Sequence, residues 1–402
     1  MTATEPRTYP FNVAESLDLD PIYAQLREQE PLTRIKLPYG EQAWLASRYE
    51  DVKVVLGDPR FSRAECLRRD EPRLRPRQQS GGILSMDPPD HTRLRRLVAK
   101  AFTQRRVEQL RPRTQDIADG LVTAMIERGG PADLVEEFAL PLPITVICEL
   151  LGVPYEDRAD FRVWSDAFLS TSKLSADQAA DHIDRMNDYI AGLIAQRRVE
   201  PADDLITGLI AARDEQDKLT EDEMVRLVAG ILVAGHETTA SQIPNCLHVL
   251  LTHPEQLERL RADLDLIPSA VEELLRFVPL GVGAGFARYA TEDVELGGVL
   301  VRAGEPVLSS IGSANRDEAV FDDPEALDLA RAEASHVGFG HGPHHCLGAQ
   351  LARMELQVAL RTLLTRFPGL GFPNSPEQDV DWKTGLLVRG PQRMVLSWQG
   401  VE

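Results

Sequence analysis

Most of this chain repeats its apolar residues every three or four positions, which is the period of an α-helix packed against a core. Prolines, glycines and polar turns separate these stretches from one another. The pattern therefore predicts a mainly helical protein. The helices predicted in this way lie at residues 21–30, 50–56, 134–152, 161–169, 180–198, 204–213 and 264–278.

A few segments read as strands, with short apolar or alternating runs between turn residues. Gly297-Gly298 is a strong signal for a two-residue hairpin turn. The first 20 residues show little periodicity, and we expect them to form a loosely attached arm. The predicted strands lie at residues 32–37, 43–46, 294–296, 299–301, 385–388 and 394–398.

One predicted helix is longer and more apolar than the others, and its centre is unusual. Thr220 and Glu223 have the spacing of a capping box, and the apolar pattern that follows runs to Leu251. In its middle stands Ala-Gly-His-Glu-Thr-Thr, residues 234–239. A glycine there costs about 1 kcal/mol relative to alanine, and an unpaired buried charge costs more. Such residues in a buried helix require an explanation.

The hydroxyl of Thr238 can donate back to the carbonyl of Ala234, bending the helix and opening a groove beside Gly235. A diatomic molecule would fit in that groove. A simple bend with a satisfied threonine would explain Thr238 equally well, but it would not explain the neighbouring acid, Glu237. The acid therefore favours a functional site. Pro244 is also expected to kink the same helix.

A loop of glycines and histidines precedes the last long helical stretch, and it reads Phe-Gly-His-Gly-Pro-His-His-Cys-Leu-Gly over residues 339–348. Its glycines suit a tight loop that approaches a flat ligand closely. The helix that follows would place Cys346 near an N-terminus, where the dipole favours a thiolate. That thiolate could ligate a haem iron, bind zinc with the nearby histidines or act as a nucleophile. A lone cysteine is otherwise most often an inert buried thiol.

Two shorter patterns place polar side chains on one helix face. Asp-Pro-Pro-Asp-His, residues 87–91, opens a helix on which His91 and Arg95 could grip one anion together. An ordinary surface pair has the same spacing. Glu273 and Arg276 stand three apart and can form an ion pair, although this motif is weak by itself.

Length, charge and cysteine content narrow the class of protein. The 402 residues can bury a large core, and 43% hydrophobic with 27% charged residues is ordinary for a soluble protein. The net charge of −19 argues against nucleic acid as a partner. We expect no membrane association and a cytoplasmic location, because the apolar stretches are short and no secretory signal begins the chain. The four scattered cysteines imply no disulfide framework.

Two basic segments lie within this acidic chain. Residues 93–113 hold eight basic side chains against one acid, and they form either a solvated helix flank or a docking surface for an acidic partner. Residues 63–77 hold six arginines and three acids around two prolines. That composition is typical of an irregular surface loop, which can also carry a binding role.

Four of these patterns occur in the order found in the cytochrome P-450 family, which the chain resembles over nearly its whole length. They are D-P-P-x-H-x-x-x-R, A-G-x-E-T-T, E-x-x-R and F-G-x-G-x-H-x-C-x-G. The resemblance implies a mainly α fold with minor β-sheets, a triangular prism of helices around haem, formed by one domain over residues 1–402. It also implies haem b, iron protoporphyrin IX, as the cofactor.

The resemblance assigns the haem-binding residues. Cys346 would ligate the iron. The surrounding loop matches the family pattern at Phe339, Gly340 and Gly348. The haem propionates would be met by His91, Arg95, Arg288 and His344.

The remaining family roles concern protons and support of the pocket. Glu237 and Thr238 would relay protons to oxygen. Glu273 and Arg276 would form a structural pair that braces the haem pocket. A third residue, often an arginine in a P-x-R-x segment, completes that ion network in the family, whereas Ala326 stands there in this chain.

The implied reaction inserts one oxygen atom of O2 into an organic substrate by hydroxylation or epoxidation, in the tailoring of a polyketide, macrolide or similar secondary metabolite. The sequence contains no nucleotide or flavin signature, so we expect electrons derived from NAD(P)H to arrive through a ferredoxin reductase and a ferredoxin, and the protein to act as a monomer. A haem-thiolate peroxygenase or an oxidative coupling enzyme would share Cys346. A haem-based ligand sensor would share it too, but would not need Glu237 and Thr238.

The substrate pocket is expected to draw on four segments. In the family, the loop that includes residues 68–77 covers the distal pocket, so its arginines suggest an anionic or polar group on the substrate. The expected substrate contacts are Ile83, Leu84, Leu232, Ala234, Gly235, Val282, Gly283, Leu386 and Leu387.

Overall fold

The computed structural model describes residues 5–12, 14–78, 81–154, 158–214, 218–283, 285–331 and 335–399. Helices make up most of these ranges, as the periodicity predicts. The α-helices are α1 (Ile22–Gln29), α2 (Tyr49–Gly57), α3 (Asp90–Ala99), α4 (Gln104–Arg128), α5 (Pro141–Leu151), α6 (Arg158–Leu169), α7 (Ala176–Val199), α8 (Leu205–Asp214), α9 (Glu221–Thr252), α10 (Pro254–Ala262), α11 (Ile267–Phe277), α12 (Ile311–Ala314), α13 (Ala349–Arg366) and α14 (Pro376–Asp379).

The strands are short. They are β1 (Arg7–Thr8), β2 (Leu32–Lys36), β3 (Ala43–Ala46), β4 (Phe61–Ser62), β5 (Ala132–Asp133), β6 (Arg288–Ala290), β7 (Val294–Leu296), β8 (Val299–Val301), β9 (Pro306–Ser309), β10 (Val380–Trp382) and β11 (Pro391–Leu396). The largest sheet has the order β1-β2-β3-β9-β6-β4, the second has the order β10-β11-β5, and β7 and β8 form a hairpin. The fold is mainly α with minor β-sheets, as predicted.

The main hydrophobic core lies where α4, α5, α9, α11 and α13 pack together. Helix α9 crosses this core and contacts α5, α6, α7 and α13. Two smaller cores include side chains of the six-stranded sheet. Within the described ranges, none of the helices combines the length and the hydrophobicity that crossing a bilayer requires.

Helix α9 begins at the capping box that the sequence predicts. The Thr220 hydroxyl accepts a hydrogen bond from the Glu223 N–H at 3.1 Å, and the Glu223 carboxylate accepts one from the Thr220 N–H at 2.8 Å. Two of the donors left free at a helix start are thereby satisfied. The helix continues through Pro244 to Thr252, so this proline does not end it.

Two predicted helices are divided near a proline. Residues 134–152 form a π-helical turn (Val135–Ala139) followed by α5, which begins at Pro141. Residues 264–278 form a 3-10 turn (Leu264–Leu266) followed by α11, whose second residue is Pro268. Proline lacks the N–H that an interior position would donate, and it is well tolerated in the first turn of a helix.

The prediction of a loose N-terminal arm is wrong for residues 5–12, while residues 1–4 and 13 lie outside the described residues. Strand β1 pairs in parallel with β2, and Tyr9, which follows it, is 1% exposed. The Tyr9 N–H donates to the Lys36 carbonyl at 3.0 Å. A two-residue strand is too short to show a periodic pattern, so this pairing could not be predicted from periodicity.

The C-terminal hairpin is present, but one of its predicted strands is misplaced. Strand β11 pairs with β10 and not with residues 385–388. Those residues belong to the connecting segment, residues 383–390, which we call the hairpin loop. Gly385 and Gly390 have φ values of +67° and +153°, which side-chain-bearing residues rarely adopt. The glycines favour a loop where the apolar pattern favoured a strand.

Glu273 and Arg276 of α11 form a buried, bidentate ion pair, with both contacts at 2.7 Å. The position that Ala326 cannot fill is taken by Arg331, whose Nε lies 3.2 and 3.1 Å from the two carboxylate oxygens of Glu273. The Asp328 N–H also donates to Glu273, at 3.0 Å. Ala326 contributes its carbonyl, which accepts from Arg276 at 3.1 Å. Because its hydrogen bonds are this complete, the buried network can offset its desolvation.

Replacing Arg331 by methionine should lower the free energy of unfolding of the haem-loaded protein by about 2 kcal/mol, because Glu273 would lose a charged donor while remaining buried. Urea titration provides the measurement. Arg259→Met is the matched control, since Arg259 pairs with Asp328 at 3.2 Å but both side chains are 47% exposed. We expect a loss below about 1 kcal/mol there. Equal losses in the two variants would contradict a structural role for Arg331.

Candidate active site

The segment before α13, residues 337–348, forms a tight loop that we call the Cys loop. Gly342 has φ +70°, and a Cβ at this position would lie 2.5 Å from the Leu56 carbonyl oxygen of α2. Only glycine permits so close an approach. The Cys346 N–H donates to the Phe339 carbonyl at 2.8 Å, which closes the loop on itself. The position of the thiol is therefore determined by backbone contacts on both sides.

Two other glycines of the Cys loop, Gly340 and Gly348, leave space beside the backbone. A Cβ built on Gly348 would meet no atom within 4 Å, and one built on Gly340 would meet only the His344 carbonyl oxygen, at 4.0 Å. Phe339 is held by Arg353, whose guanidinium lies 4.6 Å from the ring centre. These two glycines therefore allow a flat group to approach the backbone closely.

Cys346 has an exposed side chain, whereas the other three cysteines are buried. The surrounding protein is nevertheless dense enough that burial raises the pKa of the Cys346 thiol, against the opposing effects of the Gly348 N–H, Arg95 and Arg353. The start of α13 does favour a thiolate, as expected, because the N–H of its N-cap residue Gly348 lowers the pKa of Cys346, but in the protein alone burial outweighs this effect. A thiolate at this position needs a cation beside it, as a bound metal ion would provide.

Basic side chains from three elements converge beside the Cys loop. The rings of His91 and His344 lie 4.1 Å apart, and His344 donates from Nε2 to the Met86 carbonyl at 3.0 Å. Arg95 donates to the His345 carbonyl at 2.5 Å. Arg288 is 6% exposed at the start of β6.

The electrostatics of this cluster point to an anionic ligand. Burial, together with the charges of Arg288 and His91, lowers the pKa of His344 to about 3. Burial and a like charge also lower the pKa of Arg288 to about 10. Asp87 opposes these shifts, but its oxygens already accept hydrogen bonds from Ser62 and from backbone N–H groups. Carboxylates placed among these groups would relieve the repulsion.

The donor set therefore fits haem. A single thiol lies in a glycine loop that admits a flat group, and the basic side chains beside it suit two propionates. Within the described ranges, no three His, Cys, Asp or Glu side chains lie together as ligands of a metal ion.

Helix α9 has one open face in an otherwise buried stretch. Ala234 is exposed and Thr238 is partly exposed, one turn apart, while their neighbours on the other faces are buried. The Thr238 hydroxyl donates to the Ala234 carbonyl at 2.7 Å, as predicted. Gly235 has a different role from the one expected: a Cβ there would lie 2.7 Å from two side-chain carbons of Ile147. It allows α5 to pack closely against α9.

Glu237 lies beside this open face but not on it. It is 2% exposed and pairs with Lys383 at 2.5 Å. Burial by itself would raise the pKa of Glu237, but the charges of Lys383 and His236 and the hydrogen bond from Lys383 outweigh it and lower that pKa. The side chain is thus a buried carboxylate with a fixed partner, a position that the sequence did not reveal.

The expected substrate contacts differ in accessibility. Leu84 and Ala234 are exposed, and Ile83, Gly283 and Leu387 are partly exposed. Leu232, Val282 and Leu386 are 1%, 8% and 4% exposed, so they support the neighbouring residues and offer little surface of their own. Phe286, which the sequence reasoning missed, is 47% exposed and lies two residues before Arg288.

Each arginine of residues 68–77 has a partner within the protein. Arg68, Arg73 and Arg77 pair with Glu65, Asp70 and Asp177, at 3.2, 2.5 and 2.7 Å. Arg69 lies 5.8 Å from the Tyr289 ring centre, and Arg75 donates to the Phe168 carbonyl at 3.0 Å. These contacts tie the loop to α6 and α7, and none of them requires an anionic substrate.

Comparison with known proteins shows which family this chain resembles. The family described as Cytochrome P450 matches residues 158–398. The chain is 54% identical over 398 residues to mycinamicin IV hydroxylase/epoxidase from Micromonospora griseorubida, covering 99% of this chain and 100% of that protein. It is 53% identical over 400 residues to nocardicin C N-oxygenase from Nocardia uniformis subsp. tsuyamanensis, with the same coverage.

A solved structure agrees. The crystal structure of cytochrome P450mel 107F1, described as having biaryl coupling reactivity, superposes with a TM-score of 0.94 at 45% identity, covering 98% of this chain and 100% of that one. Proteins of this family contain haem, react with O2 and an organic substrate, and receive electrons from redox partners. The chain belongs to the cytochrome P450 family and is a monooxygenase of secondary metabolism.

Proposed function

We propose that this enzyme hydroxylates or epoxidises a macrolide or a similar polyketide-derived metabolite, with haem b bound through Cys346 and electrons supplied by a ferredoxin and its NAD(P)H-dependent reductase. We treat residues 1–402 as one monomeric, cytoplasmic catalytic domain. The observation that carries the proposal is the exposed thiol of Cys346 in the Cys loop, with the side chains of His91, Arg95, Arg288 and His344 beside it. The chain is also 54% identical to mycinamicin IV hydroxylase/epoxidase.

The protein's own part in the reaction is to hold the haem, orient the substrate and keep water out of the pocket. Cys346 would ligate the iron, and His91, Arg95, Arg288 and His344 would hold the propionates. When bound, haem supplies the oxygen chemistry that side chains cannot. Apolar side chains around the pocket limit the entry of water.

Protons for the reaction require a path through the protein. The Thr238 hydroxyl is on the open face of α9 and donates to the Ala234 carbonyl, so its oxygen can accept a hydrogen bond from the pocket. To relay a proton, the hydroxyl would turn its own proton from that carbonyl toward the pocket while accepting another on its oxygen. Glu237 is the adjacent acid. The presence of both residues argues against a peroxide-driven peroxygenase and against a sensor, neither of which needs this relay.

Oxidative coupling is the second candidate reaction. It is favoured by the similarity to cytochrome P450mel 107F1, described as having biaryl coupling reactivity. Coupling joins two aromatic rings and inserts no oxygen atom, so incorporation of labelled oxygen from O2 into the product distinguishes the two reactions.

Cys346→Ala should abolish the strongly red-shifted Soret band of the reduced, carbon monoxide-treated protein, because that band requires thiolate ligation. Cys246→Ala is the control: this thiol is buried in the apolar core of α9, and its removal should leave the band in place. Persistence of the band in Cys346→Ala would refute the haem-thiolate assignment.

The ferredoxin is proposed to dock beside the Cys loop. Several arginines of the basic segment are neutralised by partners, for example Arg93 by Glu223 and Arg113 by Glu149. The exposed remainder includes Arg96, Lys100 and Arg105, while Arg106 lies 3.9 Å from Asp203. A cavity of about 380 Å³ lies between α3, near Arg96, and Gly342-Pro343 of the Cys loop. These exposed basic residues therefore border the side of the proposed haem site on which Cys346 lies.

Arg96→Glu combined with Lys100→Glu should slow electron transfer from a ferredoxin on the order of ten-fold at low salt and weaken its salt dependence, since steering by opposite charge would be lost. Stopped-flow reduction at several ionic strengths measures this. Arg185→Glu, an exposed change on α7, serves as the control. An unchanged rate and salt slope in the double variant would exclude this docking surface.

The substrate class can be tested with the substrates named for the two relatives. Mycinamicin IV should shift the spin state of the haem in a binding titration, whereas nocardicin C should do so more weakly. Ala234→Phe should weaken the macrolide response at least ten-fold, because the bulk would fill the open face of α9, while the carbon monoxide band stays intact. A response to nocardicin C alone would rule out the macrolide proposal.

A further inference from the structure

A stripe of polar side chains runs along the buried side of α9. Glu237, Ser241 and Asn245 are spaced four residues apart and therefore share one face. They are 2%, 0% and 0% exposed. All three meet the segment from Lys383 to Gly390, the hairpin loop. The contact is unusual because a helix crossing an apolar core gains little from polar groups on its buried side.

The hairpin loop supplies a hydrogen-bond partner to each of these three side chains. The Lys383 ammonium donates to the Glu237 carboxylate at 2.5 Å and to the Ser241 hydroxyl at 2.9 Å. The Asn245 amide donates to the Arg389 carbonyl at 3.1 Å. The Lys383 N–H donates to the Gly390 carbonyl at 2.9 Å, which closes the base of the loop.

Lys383 determines which way Glu237 faces. Thr238 and Ala234 share the open face of α9, whereas Glu237 is turned about 100° away from Thr238, toward the hairpin loop. The charged groups that act on Glu237 are Lys383, His236 on the same helix and Arg162 on α6. Among them, Lys383 makes the direct hydrogen bond. Without Lys383, the Glu237 carboxylate would keep its contact with the His236 ring at 3.8 Å but would lose its charged hydrogen-bond donor.

The middle of the hairpin loop, residues 385–387, contacts the end of α6 and the turn that follows it. The Gly385 carbonyl accepts from the N–H groups of Thr171, Ser172 and Lys173 at 2.8, 3.2 and 3.2 Å. A Cβ at Gly385 would lie 2.8 Å from the Lys173 nitrogen, so the two segments touch closely. The partly exposed Leu387 stands in the same loop and donates its N–H to the Leu169 carbonyl at 2.9 Å.

We propose that Lys383 is a positioning residue for proton delivery: it holds Glu237 buried and charged beside Thr238, and it links this acid through the hairpin loop to the turn that follows α6. A substrate that presses on Leu387 would move the loop and, with it, the ammonium that sets the position of Glu237. This inference rests on the proposed proton roles of Glu237 and Thr238.

The measurable consequence is coupling, the fraction of NAD(P)H oxidised that appears as product. In the coupled reaction two electrons and two protons place one oxygen atom of O2 in the substrate and release the other as water. When protons arrive at the wrong place, the same two electrons and two protons reduce O2 to hydrogen peroxide. Loss of positioning at Glu237 should therefore raise peroxide at the expense of product.

Lys383→Met should lower coupling several-fold, and Lys383→Arg should restore most of it because a guanidinium can still pair with Glu237. In a Glu237→Gln background, Lys383→Met should add little, since the two residues act as a unit. The pH profile of coupling should also change in Lys383→Met, because the buried Glu237 would lose its main counter-charge and protonate more readily. Lys173→Met is the matched control: this lysine pairs with Asp166 at 2.8 Å, at the same turn.

The outcomes distinguish failure of the proposed proton roles of Glu237 and Thr238 from failure of the positioning role of Lys383. If Glu237→Gln and Thr238→Ala both leave coupling unchanged, the proposed proton roles fail. If they lower coupling and Lys383→Met does not, this inference is overturned. Ser241→Ala is a milder second variant, because it removes only the hydroxyl that helps hold the Lys383 ammonium. Its smaller loss should vanish in the Glu237→Gln background, and a loss that persists there would also overturn the inference.

Discussion

The candidate site is built around a thiol held at one point in a dense and positively charged surrounding. Burial raises the pKa of Cys346, and burial with like charges lowers the pKa of His344 and Arg288. The protein alone therefore holds an uncharged thiol beside crowded basic groups. A ligand with a cation at its centre and carboxylates at its edge relieves both penalties at once, and haem is such a ligand.

Helix α9 meets two opposite requirements along a single turn. Its face at Ala234 and Thr238 is open, whereas the face carrying Glu237 is closed. The Thr238 side chain satisfies itself on its own helix, so it needs no partner across the pocket. The acid is satisfied from outside the helix, by Lys383. Gly235 allows α5 to pack tightly against this part of α9, because the side chain of Ile147 fills the space beside its backbone.

Buried ion pairs recur in this fold where a loop must be fixed to the helical core. Glu273 forms ion pairs with Arg276 and Arg331, and Glu237 forms one with Lys383. Such groups are costly to bury, so each is surrounded by further hydrogen bonds, from the Asp328 N–H in one case and to the Ser241 hydroxyl in the other. Apolar packing could hold these segments equally well, but it would not specify one position for them as directionally as hydrogen bonds do.

The sequence by itself determined the helical class, the ends of α9 and the nature of the Cys loop, because each depends on residues that are close along the chain. Capping boxes, glycine turns and i, i+4 spacing are local, and their geometry follows from a few successive backbone angles. Tertiary structure alone decided that Lys383 meets Glu237 across 146 positions and that Arg331 meets Glu273 across 58. It also decided that β10 and not residues 385–388 pairs with β11. No local pattern marks such partners, because they meet only when the core forms, and their pairing then offsets the cost of removing both charges from water.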